Sequence, residues 1–256
     1  MKFKNIPLFL IIITSFFINN AHAQGYKIKT IVIDAGHGGV KPGAKGKYSY
    51  EKNVALKVAL KLGKTLEQEL DGVKIIQTRK TDVDVDWYRR AEIANDAKAD
   101  LFISIHCNSM PKGNNYTKGT ETFVGAYRRI NEMDAGIKEN EDIINDKDFK
   151  KKGYDPTDPE ELIMLSLYKS LFRTKSLVLA KLIQKNYTEV NKRTNRGVKE
   201  QGLLILQRAA MPSVLTEIGF ISNAAEEDYM NSESGQEEIV NAIVNAIKEY
   251  KKQIEN

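Results

Sequence analysis

Ile31-Val32-Ile33-Asp34-Ala35-Gly36-His37-Gly38-Gly39 decides the reading of this chain. The β-branched run predicts a strand buried on both faces. The glycines that end it allow a sharp turn and a close approach of backbone to a bound group. In an α/β sheet, ligands bind just past the carboxyl ends of strands, and a histidine stands in that loop.

Outward from this point, strands and helices alternate. Glu51 opens a predicted helix to about Leu70, with Val54, Ala55, Val58, Leu62 and Leu66 on its apolar face. Glu51 shares that phase, so its carboxylate is expected to face inward. Val73 to Thr78 reads as a strand, Trp87 to Ala97 as a helix and Leu101 to Ile105 as a central strand ending at His106. Alternation along that strand turns Cys107 away from the face His106 takes. Thr120 to Val124 reads as another strand, Leu162 to Asn191 as helix, Arg193 to Gly197 as a turn and Leu203 to Leu206 as a short strand. Ser213 to Ile218 reads as the last strand, carrying Glu217 at its end, and Gly235 to Tyr250 as the closing helix. The expected fold is α/β: a central, mostly parallel twisted sheet with helices on both faces. A partly helical, acidic insertion at about 131–161 interrupts the alternation.

The first residues belong to an address rather than to the fold. Lys2 and Lys4 precede an apolar run from Ile6 to Ile18, then Ala21-His22-Ala23. This is the pattern of a signal peptide, residues 1–23, cut before Gln24. The run is short for a membrane span, so the mature form, one catalytic domain over 24–256, is expected to have none. Cleavage removes two lysines and no acid, so the formal charge falls from +5 to +3. That mild basicity does not point to nucleic acid. The single cysteine, Cys107, excludes an internal disulfide.

Cleavage also removes His22, leaving only His37 and His106, each directly after a strand-like run. Two imidazoles and a carboxylate suit Zn²⁺, whose catalytic sites keep three protein ligands and one open position. His37, Glu51 and His106 supply such a set. Zinc polarises a carbonyl and lowers the pKa of its water toward about 7. Glu217, at another strand end, is placed to accept a proton from that water and return it to a leaving nitrogen. No Gly-x-Ser-x-Gly elbow, phosphate-binding Gly-Lys-Ser/Thr loop or EF-hand occurs.

The segments Ile33–Gly39, Glu51–Leu56, Ser104–Asn108, Asn195–Lys199 and Pro212–Asn223, taken in order, resemble the zinc-dependent N-acetylmuramoyl-L-alanine amidases, the Amidase_3 family of cell-wall hydrolases. Cys107 departs from the small residue more usual there. The resemblance implies His37, Glu51 and His106 as zinc ligands and Glu217 as the catalytic acid/base. The implied substrate is peptidoglycan, cut at the amide between N-acetylmuramic acid and L-alanine of the stem peptide. It also implies an exported enzyme of the periplasm, cell envelope or medium, with roles such as cell division. Some members hold a helix over the zinc until a protein activator displaces it, and residues 131–161 occupy that interval, with Glu139 or Glu141 as candidate contacts to the metal. Two other readings fit the same residues: a catalytically silent wall-binding or regulatory protein, and a secreted zinc peptidase acting within the stem peptide.

Overall fold

The computed structural model describes residues 26–111, 113–126 and 159–255, and, within these, the side chains of all but 159–162 and 164–170. The signal segment and most of the 131–161 insertion, including Glu139 and Glu141, lie outside the described residues.

Among the described residues six strands form one sheet: β1 (Thr30–Ala35), β2 (Lys74–Gln77), β3 (Leu101–Asn108), β4 (Thr120–Gly125), β5 (Asn195–Gln201) and β6 (Ser213–Phe220), ordered β2-β1-β3-β6-β4-β5. The pairings β1/β2, β1/β3, β3/β6 and β4/β5 are parallel, and β4/β6 is antiparallel. The mostly parallel sheet expected from the alternation is therefore present, with β4 and β5 reversed against the other four strands.

Six helices surround it among the described residues: α1 (Glu51–Glu69), α2 (Trp87–Asp96), α3 (Pro159–Glu189), α4 (Leu204–Gln207), α5 (Ala224–Asn231) and α6 (Glu233–Glu255). One sheet face packs Ile31, Ile33, Ile103, Ile105, Cys107 and Val214 against the apolar stripes of α1, α3 and α6. The opposite face packs Val32, Phe102, Phe123 and Leu215 against α2 and the α4 segment. With both faces covered, the central strands read as near-continuous apolar runs. Cys107 lies in the first core, on the face opposite His106. No described helix is long and apolar enough to cross a membrane.

Two local expectations are corrected. Arg193 to Gly197 is not simply a turn: β5 begins at Asn195 and runs to Gln201. Its sequence, Asn-Arg-Gly-Val-Lys-Glu-Gln, lacks apolar alternation because it is an edge strand held by backbone pairing to β4. Leu203 to Leu206 is not a strand: Leu204–Gln207 form one helical turn with every side chain buried. A four-residue apolar run carries no period by which to separate the two.

Candidate metal centre and active site

The carboxyl rim of β1, β3 and β6 gathers the polar residues. Parallel register sets Asp34 beside Ser104 and His106 beside Glu217. Partners in register project from the same face, so His106 and Glu217 stand side by side. β3 runs past His106 to Asn108, with a register shift between the two.

His37 follows β1 in the left-handed region, at φ 55°. That uncommon conformation for a residue with a Cβ is held by buried cations. Arg90 Nη2 donates to the His37 carbonyl at 2.6 Å and Arg79 Nη2 to the Gly36 carbonyl at 2.8 Å, while Arg79 Nε donates to the Ala35 carbonyl at 2.9 Å. Asp34, fully buried, accepts from Arg90 Nη1 at 2.8 Å, Thr78 Oγ1 at 2.6 Å and Ser104 Oγ at 2.7 Å. Burial alone would raise the Asp34 carboxyl; the Arg90 charge and the two hydroxyls outweigh it and hold it below the usual range.

Glu51 is the first residue of α1 and is buried. The loop before it closes the helix start: Glu51 N donates to the Ala44 carbonyl at 2.9 Å, and Ala44 N donates back to Glu51 Oε2 at 2.8 Å. Its two oxygens meet the two imidazoles, Oε2 at 3.2 Å from His37 Nε2 and Oε1 at 2.9 Å from His106 Nδ1. Cys107 N donates to Oε1 at 3.0 Å. Burial pushes the Glu51 carboxyl upward, but the His37 charge and hydrogen bonds from both rings outweigh it and leave it well below its ordinary value. The rings themselves meet edge to face, with centroids 5.0 Å apart.

Two glycines shape this cradle. A Cβ on Gly36 would lie 2.5 Å from His106 Nε2 and Cε1. On Gly43 it would lie 2.6 Å from both Glu51 Oε2 and His37 Cδ2. One donor atom from each of His37, Glu51 and His106 fits within a 4.8 Å span. Nitrogen and oxygen ligands at about 2.0–2.2 Å from a tetrahedral zinc stand roughly 3.3 Å from one another. The 2.9 and 3.2 Å contacts run to different Glu51 oxygens, so the three donors draw together by about 1 Å or more from their 4.8 Å span to close on an ion. A half-buried and a buried imidazole with one buried carboxylate are the donor chemistry such an ion takes.

A profile of the Amidase_3 family, described as N-acetylmuramoyl-L-alanine amidase, matches residues 31–249. The chain belongs to this family. It is 29% identical over 233 residues to the amidase AmiC of Escherichia coli O6:H1, covering 86% of this chain and 52% of AmiC. It therefore spans about half the length of that relative. It is also 29% identical to AmiA of Salmonella typhimurium, covering 91% of this chain and 81% of AmiA. Among solved structures, the CwlD amidase of Clostridioides difficile, in complex with the GerS lipoprotein, superimposes with a TM-score of 0.66 at 27% identity, over 88% of this chain and 99% of that one. Membership of an amidase family implies a peptidoglycan substrate and metal-dependent hydrolysis of an amide bond.

His37, Glu51, His106 and Glu217 were all singled out by their places in the sequence, and all four lie at one rim. Asp34, Arg79 and Arg90, which fix the loop carrying His37, were not. Neither was Glu121, buried on β4 in register with Glu217. An acid inside an apolar strand was the available signal for Asp34 and Glu121. The two arginines carried none, because charged residues on a loop and a helix ordinarily mark a wet surface.

Proposed function

We propose that this chain is a zinc-dependent N-acetylmuramoyl-L-alanine amidase, in which His37, Glu51 and His106 hold the ion and Glu217 is the acid/base. The observation that carries this reading is the convergence of two imidazoles on one buried carboxylate, with Glu217 in register beside His106. Zinc bound there supplies Lewis-acid polarisation of the scissile carbonyl and acidifies its water. Glu217 takes a proton from the attacking water and delivers it to the L-alanine nitrogen as the C–N bond breaks. The products are the free lactyl carboxyl of N-acetylmuramic acid and a stem peptide with a free amino terminus. Arg90, Arg79 and Asp34 keep His37 oriented, and Gly36 and Gly43 leave room for the rings.

The rest of the reading follows from the segments outside the described residues. Residues 1–23 direct export, and 24–256 act as one catalytic domain in the periplasm or cell envelope. A protein partner acts on 131–161; CwlD in its complex with GerS is a precedent for an amidase of this fold with a protein partner. Deleting that stretch should raise activity on purified sacculi, and unchanged or lost activity would count against a gating role.

Mass spectrometry of digested sacculi tests the function. Free stem peptides with intact glycan are expected. Cleavage between amino acids would instead indicate a stem-peptide peptidase, and binding without release a catalytically silent protein. Glu217→Gln should keep the metal and lower turnover by roughly 10²–10⁴-fold. Full activity in that variant would refute the assigned acid/base.

A further inference from the structure

Beyond Glu217 the sheet carries a second buried carboxylate with two cations. Antiparallel register sets Glu121 opposite Glu217, so His106, Glu217 and Glu121 form a row across β3, β6 and β4 on one face. Glu121 is 3% exposed. Arg196 Nε donates to its Oε1 at 2.6 Å, and Lys199 Nζ lies 3.0 Å from its Oε2. On a regular strand, residues three apart point to opposite faces. A bulge removes that conflict: Thr120 pairs Asn195 and Thr122 pairs Val198, so Arg196 and Gly197, the latter at φ 93°, together oppose Glu121. Bulges re-aim side chains in this way.

Arg196 is held but not used up. Its guanidinium lies 5.0 Å from the Phe220 ring centroid, and its side chain is 36% exposed. Among the described residues its Nε bond to Glu121 is the one hydrogen bond of its side chain, which leaves both Nη groups as donors. Lys199, 40% exposed, reinforces the positive end. A guanidinium tethered at Nε, resting on an aromatic ring and presenting two parallel N–H groups is built to bind a carboxylate in bidentate fashion.

The order of the strands says which part of the substrate reaches it. The metal-binding trio sits at β1 and β3, the acid/base on β6 and the cations on β5. An acid that protonates the leaving nitrogen must stand on the leaving-group side. The stem peptide therefore departs toward β4 and β5, and the glycan lies toward β1. Two strand spacings put Glu121 roughly 10 Å from His106. An extended peptide advances about 3.3–3.6 Å per residue, so the second residue's carboxylate falls about 7 Å beyond the cut bond, within reach of Arg196.

We infer that Arg196, positioned by Glu121 and assisted by Lys199, binds the free carboxylate on the residue after L-alanine and makes the enzyme selective for acidic over amidated stem peptides. This rests on the amidase reading. The test uses the zinc-loaded mature chain on two muramoyl tripeptides, L-Ala-γ-D-Glu-L-Lys and its D-isoglutamine counterpart, in which the γ-carboxyl is tied up in the next peptide bond and only the α-carboxylate differs. Wild type should favour the acid by roughly 10- to 100-fold in kcat/KM, the worth of a charged hydrogen-bond pair. Arg196→Gln should abolish that preference by raising KM for the acid, with kcat and zinc content kept. Arg196→Lys should restore part of it. In calorimetry on metal-free protein, L-alanyl-D-isoglutamate should bind wild type and fail to bind Arg196→Gln. Lys199→Gln should weaken the preference in the same direction, and serves as the test if Arg196→Gln does not fold. Absence of preference in wild type, or equal losses on both substrates, would overturn the inference while leaving the amidase reading intact. Failure of wild type to cut either substrate, with the dipeptide still bound through Arg196, would overturn the amidase reading instead.

Discussion

Gly36→Ala is the sharpest perturbation of the metal centre, because it adds one carbon and changes no ligand. Gly36 has no positive φ, so alanine brings no backbone strain there, and the hydrogen bond its N–H donates to the Ile105 carbonyl is unaffected. The new Cβ meets His106 Nε2 and Cε1 at 2.5 Å, and ordinary contact begins at 3.4 Å. The imidazole must therefore retreat by about 0.9 Å, and displacements near 1 Å are enough to spoil a preorganised site. Zinc tolerates ligand distances only within about 0.2 Å of their ideal values. Losing the alignment of one donor should weaken zinc binding at least 10- to 100-fold, the range seen when the groups orienting a ligand are disturbed. Equilibrium dialysis with competing chelators measures this directly. The thermal midpoint of the metal-free protein should stay within a few degrees of wild type, since the three atoms nearest the new Cβ all belong to the one His106 ring. Wild-type zinc affinity in Gly36→Ala would refute the placement of His106 as a ligand.

Other perturbations reach the loop behind His37, a second buried carboxylate and the ion itself. Asp34→Ala strands Arg90 as a buried charge and should cost about 3–5 kcal/mol, read from urea unfolding of the metal-free protein; a loss under 1 kcal/mol would show that Asp34 is not the counter-ion that holds the loop. Glu227 is buried and accepts from Lys47 N at 2.7 Å, Tyr48 N at 3.0 Å, and Ser49 N and Oγ at 2.7 Å each. Burial pushes its carboxyl up, but the Ser49 hydroxyl and the backbone amides prevail and hold it below its ordinary 4.5. Its contribution is therefore present above that value and lost as pH falls through the lower folded pKa. Glu227→Gln should flatten the acid limb of the stability profile below about pH 5, and an unchanged limb would contradict the assignment. Added zinc at 100 times its Kd should stabilise wild type by about 2.7 kcal/mol, and should do nothing for His37→Ala at the same concentration.

The fold and the rim were legible for different reasons. Strand β1 is apolar on both faces, so its burial reads directly from Ile31-Val32-Ile33, and the glycines after it mark the turn. Glu51 was found by helical phase: a carboxylate in register with Val54, Ala55 and Val58 must enter the interior. What stayed hidden depends on contacts between distant parts of the chain. Arg90 reaches Asp34 across 56 positions and Arg79 reaches Ala35 across 44, and no local period encodes such a pairing. Arg90 on α2 has the local pattern of a solvated charge, and becomes an interior group only because Asp34 faces α2 from the sheet.

The same reasoning explains why β5 was misread and why that matters. A strand recognised by apolar alternation must bury one face, and β5 instead spends its side chains on Glu121 at an edge. Gly197 looks like a turn signal because a bulge and a turn make the same demand on φ. The two outcomes differ in where the flanking cations go. In a turn, Arg196 would point into solvent; in a bulge beside β4, it is brought with Lys199 onto one buried carboxylate, two strands from His106. Placing Gly197 in a bulge thus converts Asn195–Lys199 from a connector into an edge strand that, on the inference drawn above, walls the leaving-group side of the site. Replacing Gly197 with valine, a β-branched residue ill suited to φ 93°, should disturb selectivity between acidic and amidated stem peptides far more than it disturbs zinc affinity. An equal loss of both would place β5 in the support of the metal centre rather than in substrate recognition.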